Sequence, residues 1–495
     1  MVGLVRQSLF SYFFGLSDAG DAFTQAFRIP NLLQTLFGEG VLSASFIPVY
    51  ANLLARKEKA LSQQVAGAVA AILALVSAVL VLIGVLATPF LIDLIAPGFQ
   101  GTRRDLTIQL VRIFFPGAGL LVMSAWCLGI LNSHRKFFLS YTAPVIWNFA
   151  MIGTLLWFGP GRAEASLAVA LAWGSVVGSA LQVLVQLPPV FRLTGRVPLS
   201  LGRGSEEVRT VLRSFVPVFI SRGVVQLSAY VDLWLASWLP IGVPTALANA
   251  QLLYTLPVSL FGMTISAAEL PAMSSLLGSE SEVAAQLRKR LNASLQRIAF
   301  FVVPSAIAFL FLGDVITGAV MQFGRFKRAD SVQVWEILAG SAVGLLASTM
   351  GRLYSSTYYA LKDTRTPLRF AVVRVVLTTG LGYLCALPLP RMLGLDPRLG
   401  AVGLTASAGV AGWVEFWLLR RSLNARIGVT GLAGGLAARL YGMALVGAAA
   451  AWGVRMAIGP QQHPWVTAVA TLGPFGAIYL GGTYAMGIRY GLRGR

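Results

Sequence analysis

The sequence contains few charged residues, histidines and cysteines. Charged residues make up 12% of its 495 positions, about half the share found in water-soluble domains. The two cysteines, Cys127 and Cys385, both lie in apolar stretches and indicate neither a disulfide framework nor a metal site. The two histidines, His134 and His463, are too few and too isolated to form a metal cluster. These shortages argue against a disulfide-stabilised fold and a metal-dependent enzyme.

Motifs typical of soluble nucleotide-dependent enzymes are also missing. We find no Walker loop and no dinucleotide-binding fingerprint, which argues against an ATP-driven pump. A cleavable signal peptide is not indicated either, since Arg6 interrupts the first apolar stretch and no basic region precedes it. We therefore expect a protein that is not an enzyme, with no catalytic residues, no metal and no resident cofactor.

Apolar residues, in contrast, are abundant, at 56% of the chain with a mean hydropathy of +0.73. Apolar stretches of about twenty residues, the length that spans a bilayer as a helix, recur from end to end. A hydropathy window predicts about fourteen spans, near 1–15, 21–53, 65–95, 108–132, 138–158, 165–190, 211–238, 246–276, 292–320, 333–360, 367–388, 401–423, 434–458 and 466–487. The first span is short, so we expect part of that helix to lie upstream of Met1. The fold class predicted is an all-α polytopic membrane protein.

The formal net charge of +20 is explained by the connections between spans. About 23 Lys and Arg residues fall in the even-numbered connections and the C-terminus, and about 8 in the odd-numbered ones. Basic residues concentrate on the cytoplasmic side of membrane proteins, so both termini are predicted to be cytoplasmic. No nucleic-acid partner is needed to account for the charge.

An internal repeat divides the chain. GVLSASFIPVYANLL (Gly40–Leu54) matches MTISAAELPAMSSLL (Met263–Leu277) at five positions, with an offset of 223 residues. The segments around Asp93 and Asp314 match at an offset of 221, and ILNSHRK matches ALKDTRT at 230. Six spans separate the copies, which predicts two parallel six-helix repeats followed by two more helices, as in transporters that rock two bundles about a central site. The domains predicted are an N-lobe at 1–190, a cytoplasmic linker at 191–210, a C-lobe at 211–425 and a C-terminal part at 426–495.

Arginines lie inside the predicted spans, where each costs about 2.5–3.5 kcal/mol at the bilayer centre. They are Arg6, Arg28, Arg112, Arg222, Arg297, Arg352, Arg374 and Arg455. Arg112, Arg297 and Arg455 lie near span ends, and we interpret them as snorkelling to the interface.

Arg28 belongs to a segment, AFRIPNLLQTLFGEG, that combines a proline with glycines. Pro30 removes a helix hydrogen bond, and a broken helix in lipid needs protein or water to satisfy its backbone. Other polar side chains of the segment are Asn31, Gln34 and Glu39. The pattern indicates the wall of a water-filled cavity, and the alternative is an ion pair of Arg28 with Glu39 or Asp21 that only fastens helices.

Asp232 lies in the middle of the seventh span. It is ten residues, roughly 15 Å along a helix, from Arg222, so we do not expect a direct pair. Two interpretations stay open: Asp232 either binds a monovalent cation or pairs with a basic residue of another helix.

The segment FRIPNLLQTLFGEGVLSASFIPVY (Phe27–Tyr50) resembles the MurJ family, also called MviN, of lipid II flippases in the MOP superfamily. GLVR, GDAF, APGF and YYALKDTRTP, which begin at Gly3, Gly20, Ala96 and Tyr358, support the resemblance in the same order along the chain. The resemblance covers essentially the whole sequence.

This resemblance implies a V-shaped fold with a cationic cavity between two lobes and a groove for a lipid tail along the last two helices. It implies a flippase that moves lipid II, an undecaprenyl-diphosphate-linked peptidoglycan precursor, to the outer leaflet of the bacterial cytoplasmic membrane. The mechanism implied is alternating access, driven by membrane potential, a coupling monovalent cation or both. Partners would be lipid II, membrane lipids and the cell-wall synthesis machinery.

The resemblance also assigns roles by position. Cargo-binding residues would be Arg6, Arg28, Asn31, Gln34, Arg222 and Arg352, with Asp21, Glu39 and Gln251 in a gating charge network and Asp232 as the cation candidate. The sequence departs from the family at Gln34, where relatives often have arginine, and at Leu252 beside Gln251, where a family arginine is replaced. Arg222 is a candidate replacement for some of the lost positive charge.

Two other functions stay open at the level of sequence. One is a related exporter of drugs or lipid-linked oligosaccharides, although cationic drugs favour a cavity lined by carboxylates over one lined by arginines. The other is a non-transporting scaffold for cell-wall assembly, for which replacing Arg6 or Arg28 would be harmless.

Overall fold

The computed structural model describes residues 2–37, 39–195, 198, 200, 205–276, 279–459 and 463–488. The side chains of 39–41, 43, 44, 216–218 and 220–229 are not included in this description. Throughout the described ranges the regular structure is helical and contains no strand. The predicted all-α fold is confirmed.

The first of two compact units comprises Met1–Thr245. Its helices are α1 (Val2–Phe14), α2 (Asp18–Phe37), α3 (Glu39–Ala55), α4 (Lys59–Leu86), α5 (Thr88–Ile95), α6 (Gly101–Ser133), α7 (Phe137–Phe158), α8 (Glu164–Thr194) and α9 (Glu206–Ser237).

Helix α6 forms the centre of this unit. Buried residues make up 72% of its most apolar window, against 28% for α4, whose Leu82 and Leu86 are largely exposed. An aromatic cluster packs around α6, with Phe23 of α2 edge-on to Phe114 at a centroid distance of 5.2 Å. The apolar faces left exposed on the outer helices are suited to contact lipid.

The second unit comprises Ala246–Arg495. Its helices are α10 (Val243–Pro257), which begins just before the boundary, a π-helical turn (Val258–Met263), α11 (Thr264–Ser274), α12 (Glu280–Phe311), α13 (Gly313–Met321), α14 (Arg328–Ala360), α15 (Arg365–Ala386), α16 (Pro388–Met392), a 3₁₀ turn (Pro397–Leu399), α17 (Gly400–Ile427), α18 (Gly434–Ile458) and α19 (Pro464–Ala485).

Helix α14 is the central helix here, again with 72% of its window buried. It packs closely on α17 at Gly344 and Gly409. The two backbones are so near that a Cβ atom added to Gly344 would lie 2.4 Å from the Cα of Gly409. Small residues at such crossings let membrane helices approach and gain van der Waals contact.

The two units repeat one order of elements, as the sequence repeat predicts. In the first unit the long helix α4 leads into the short α5 and the central α6, and in the second α12, α13 and α14 follow in the same way. The matching segments Gly40–Leu54 and Met263–Leu277 correspond mainly to α3 (Glu39–Ala55) and α11 (Thr264–Ser274).

Eleven helices of the described ranges are long and apolar enough to cross a bilayer. The other three predicted spans correspond to the short α1, the α2–α3 pair and α9. The contact boundary falls after Thr245, whereas the predicted lobes divide at 190–211. Helix α9 therefore lies in the first unit, where Val208 and Val211 pack in a buried cluster with Tyr50.

Candidate functional site

Helix α2 carries most of the residues singled out in the sequence. It runs through Pro30 without ending there and is described as far as Phe37, and α3 is described from Glu39. The interruption expected near Pro30 is therefore not found at that residue. A proline removes one backbone donor, and a membrane helix tolerates this loss when neighbouring groups satisfy the freed carbonyl.

Arg6 of α1 lies against an aromatic pair. Its guanidinium carbon is 4.8 Å from the ring centre of Trp147 in α7, a cation–π contact. The Trp147 indole N–H donates to Ser175 Oγ at 3.1 Å, and its ring stacks on Phe27 with centroids 5.7 Å apart. The contacts with Ser175 and Phe27 hold the indole in place, and the ring in turn gives the partly buried guanidinium of Arg6 a defined surface to lie against.

Arg28 follows Phe27 on α2 and is partly buried. Asp232 and Tyr230, both on α9, lie within electrostatic range of its guanidinium. The Tyr230 hydroxyl also donates to the carbonyl oxygen of Arg28 at 3.1 Å. The structure thus places Asp232 beside a basic residue of another helix, one of the two interpretations of this carboxylate.

Asn31 and Gln34 continue along α2 and are both partly buried. Arg28, Asn31 and Thr35 recur at helical spacing and share one side of the helix. The Thr35 hydroxyl donates to the carbonyl of Asn31 at 3.0 Å. Gln34 is turned roughly 120° around the helix axis from Arg28, so it points away from that side.

Asp21 is fully buried and does not hold Arg28. Its carboxylate accepts hydrogen bonds from the backbone N–H of Gly242 at 2.7 Å, the backbone N–H of Thr245 at 2.9 Å and the Thr245 hydroxyl at 2.7 Å. These donors surround the first turn of α10, where unpaired N–H groups and the helix dipole favour an anion. Asp21 therefore caps a helix 221 residues away, and the alternative Arg28–Asp21 pair is wrong.

Arg103 of α6 completes this cluster and was missed in the sequence. Its Nη1 lies 3.4 Å from Asp18 and 3.7 Å from Asp21, and its guanidinium carbon is 3.8 Å from the ring centre of Phe99. In the sequence Arg103 looked like an ordinary loop charge. The APGF segment that precedes it was the only signal of its role.

Two predicted residues of α3 and α9 lie outside the described side chains. Glu39 is the first residue of α3 and Arg222 lies within α9, and their predicted roles stay predictions.

In the second unit, Arg352 is exposed on the otherwise buried α14. Ser348, Ser355 and Tyr359 share its side of the helix at helical spacing, and Ser348 Oγ lies 2.7 Å from the hydroxyl of Tyr254. Gln251 is exposed on α10. A polar stripe with one guanidinium is suited to contact water or an anion.

Two further arginines of this unit form ion pairs. Arg374 Nη1 lies 3.1 Å from Glu415, and Arg455 Nη1 donates to Asp314 at 3.0 Å. Arg455 thus has an acidic partner that the sequence did not predict, and its position at the interface stays a prediction. Within the described residues, no group of three or more His, Cys, Asp or Glu side chains is placed to hold a metal ion.

The family model described as "Lipid II flippase MurJ" matches residues 10–473. The chain is 30% identical over 434 residues to the lipid II flippase MurJ of Burkholderia cenocepacia, covering 86% of this chain and 81% of that protein. It is 31% identical over 404 residues to the probable lipid II flippase MurJ of Bdellovibrio bacteriovorus, covering 81% and 74%.

Solved structures agree in fold. A lipid II flippase MurJ in an inward closed conformation superposes with a TM-score of 0.80 at 22% identity, covering 99% of this chain and 97% of that one. An inward-facing multidrug resistance MATE transporter of the MOP superfamily gives a TM-score of 0.67 at 16% identity, covering 86% and 95%. Since the family model spans nearly the whole sequence, the chain belongs to the MurJ family of lipid II flippases.

Proposed function

We propose that this protein is a lipid II flippase of the bacterial inner membrane and that Arg28 binds the diphosphate of the cargo. Family membership supports the cargo and the membrane. The observation that carries the binding role is a partly buried guanidinium on a membrane helix, set beside a carboxylate on another helix. Arginine inside a membrane is expensive and marks functional sites.

The chemistry of arginine fits the cargo. A guanidinium donates two parallel hydrogen bonds to phosphate oxygens, which gives direction as well as charge. Arg6 has its guanidinium held over the Trp147 ring, a contact that uses the face of the guanidinium and leaves its in-plane N–H groups for oxygen acceptors. Arg6 is therefore the second cargo ligand, and Arg352 stays a predicted third.

Asp232 balances the charge of Arg28 when no cargo is bound. Without cargo, its carboxylate offsets the charge of Arg28, which lowers the cost of keeping the guanidinium in a membrane protein. A diphosphate brings the compensating charge itself and competes for the same guanidinium. A monovalent cation bound to Asp232 would neutralise the carboxylate and so favour cargo binding.

Transport then proceeds by alternating access and needs no ATP. Each uncompensated negative charge moved outward through an inside-negative membrane gains about 2.3 kcal/mol per 100 mV. If the arginines neutralise the cargo, the same field instead drives the empty, cationic site back inward. With both termini cytoplasmic, as the basic connections indicate, cargo enters from the cytoplasmic leaflet, where cell-wall synthesis enzymes are natural partners.

The test is rescue of a cell depleted of its own flippase, scored by labelling lipid II on the outer face. Arg28→Ala and Arg6→Ala are expected to abolish labelling at a normal level of inserted protein. Arg112→Ala is the matched control, since Arg112 is an exposed arginine of α6. Normal labelling by both variants at normal protein level would overturn the site and favour the scaffold. Labelling that fails even with the wild-type chain, together with export of drugs, would favour a related exporter.

A further inference from the structure

The duplicated aspartates of the two repeats have different partners. Asp93 of α5 accepts from Arg104 of the neighbouring α6, at 2.7 and 2.9 Å. Asp314, at the matching place in α13, accepts from Arg455 of α18, which lies outside the duplication. The ion pair in the second unit therefore ties the repeat to the two C-terminal helices.

A cavity of about 260 Å³ opens beside the Asp314–Arg455 pair. Arg328, at the first turn of α14, supplies a second guanidinium, and Gln322 and Ser331 supply neutral polar groups. Two arginines and one aspartate are the charged lining residues. Guanidinium groups only donate hydrogen bonds, so the lining offers donors to the oxygens of an anion.

The cavity lies where helix ends meet, a position at which lipid head groups are expected. It is lined along α13 and bounded by the end of α18 and the starts of α14 and α19. Trp452 lines it and donates its indole N–H to the carbonyl of Phe311 at 3.2 Å. Tryptophans concentrate at the membrane–water interface, where one edge of the ring is apolar and the other meets polar groups.

The ion pair still leaves donors for a ligand. A guanidinium has five N–H donors, of which the Asp314 carboxylate takes two, so three on Arg455 can serve an anion. Because that carboxylate is already bound to Arg455, it does not favour a cationic head group. Met456 of α18, which lines the cavity, and Val469 of α19 are each 70% exposed and give an apolar path for acyl chains.

We propose that this cavity binds the phosphate of an anionic phospholipid, held by Arg455 and Arg328 with its acyl chains along α18 and α19. Its occupant is a structural lipid of the surrounding membrane, distinct from the cargo. Since the predicted topology puts these helix ends outside, the lipid belongs to the outer leaflet.

Lipid binding is measured directly by native mass spectrometry of the delipidated protein titrated with phosphatidylglycerol or phosphatidylcholine. The wild-type protein is expected to bind phosphatidylglycerol about tenfold more tightly than Arg455→Gln, a change equivalent to roughly 1.4 kcal/mol. Arg104→Gln removes the matching ion pair of the first unit and is expected to bind like the wild type. Equal affinity of the wild type for the two lipids, or an equal loss in Arg104→Gln, would overturn the proposal.

Two further arms complete the test. Arg328→Gln is expected to weaken phosphatidylglycerol binding while leaving the Asp314–Arg455 pair intact, so the site can be judged even if Arg455→Gln does not fold. Soluble glycerol phosphate at millimolar concentration is expected not to displace the lipid, because it lacks acyl chains. Full displacement would show a site for free phosphate and overturn the lipid as its occupant.

Discussion

Replacing Asp21 by alanine tests how the start of α10 is held in the first unit. The carboxylate is fully buried and accepts from two backbone N–H groups and one hydroxyl at 2.7–2.9 Å, with Arg103 at 3.7 Å. Alanine removes the acceptor, leaves the N–H groups of Gly242 and Thr245 without it, and leaves Arg103 with the half-exposed Asp18 as its remaining acidic partner.

The expected loss is large. One unsatisfied buried donor costs about 1–3 kcal/mol, and removing one member of a buried charge pair costs about 3–5 kcal/mol. Because these terms overlap at one carboxylate, we expect a loss near the upper figure, about 4–5 kcal/mol. Asp21→Asn keeps an acceptor oxygen and is expected to lose roughly half as much, since its hydrogen bonds are no longer charge-assisted.

The assay is the thermal unfolding midpoint of the purified protein in detergent. Asp18→Ala is the control, because Asp18 lies one turn earlier, has a side chain that is 53% exposed and contacts the same Arg103 at 3.4 Å. An exposed pair of this kind contributes about 0–1 kcal/mol. The order of midpoints should be Asp18→Ala, then Asp21→Asn, then Asp21→Ala, from high to low. Equal midpoints for the Asp18 and Asp21 alanine variants would refute the reasoning.

Three further outcomes are expected. Arg6→Lys should retain only part of the lipid II labelling, since an ammonium keeps the charge but loses the planar contact with Trp147; full labelling would contradict that contact. Asp232→Asn should make transport by reconstituted vesicles insensitive to the choice of monovalent cation, and an unchanged cation preference would remove Asp232 as the cation ligand. Asp363 accepts from the Thr366 backbone N–H at 3.0 Å and hydroxyl at 2.7 Å, which lowers its pKa from 3.8 to about 2. A lowered carboxyl pKa stabilises the fold above pH 3.8 and this contribution is lost as pH falls towards 2. Asp363→Ala should therefore lower the unfolding midpoint by a constant amount between pH 5 and 8, and a difference that changes in this window would contradict the assignment.

The sequence predicted the membrane-spanning helices well because the hydropathy of each segment can be judged from its own residues. Eleven spans are recognisable from length and apolar content alone. The interruption expected near Pro30 is wrong, since α2 continues through this residue. Proline removes a single hydrogen bond, and in a packed membrane helix that loss does not end the helix.

The contacts of the site depend on packing between distant segments, which a single sequence does not contain. Asp21 and Thr245 are 224 residues apart, and nothing near either residue shows that they meet. Arg455 was interpreted from the sequence only as a snorkelling residue near a span end, because its ion pair depends on where Asp314 packs. Arg28, by contrast, could be singled out from the sequence because a mid-span arginine is costly wherever it packs, and its role in cargo binding stays a prediction.

The most direct test of the central claim is the affinity of the purified protein for lipid II, measured for the wild type, Arg28→Ala and Arg112→Ala. A charge-assisted hydrogen bond contributes about 1.5–3 kcal/mol, so Arg28→Ala should bind lipid II at least about tenfold more weakly, while Arg112→Ala binds it like the wild type. Equal affinity of Arg28→Ala and the wild type would contradict a diphosphate held by Arg28.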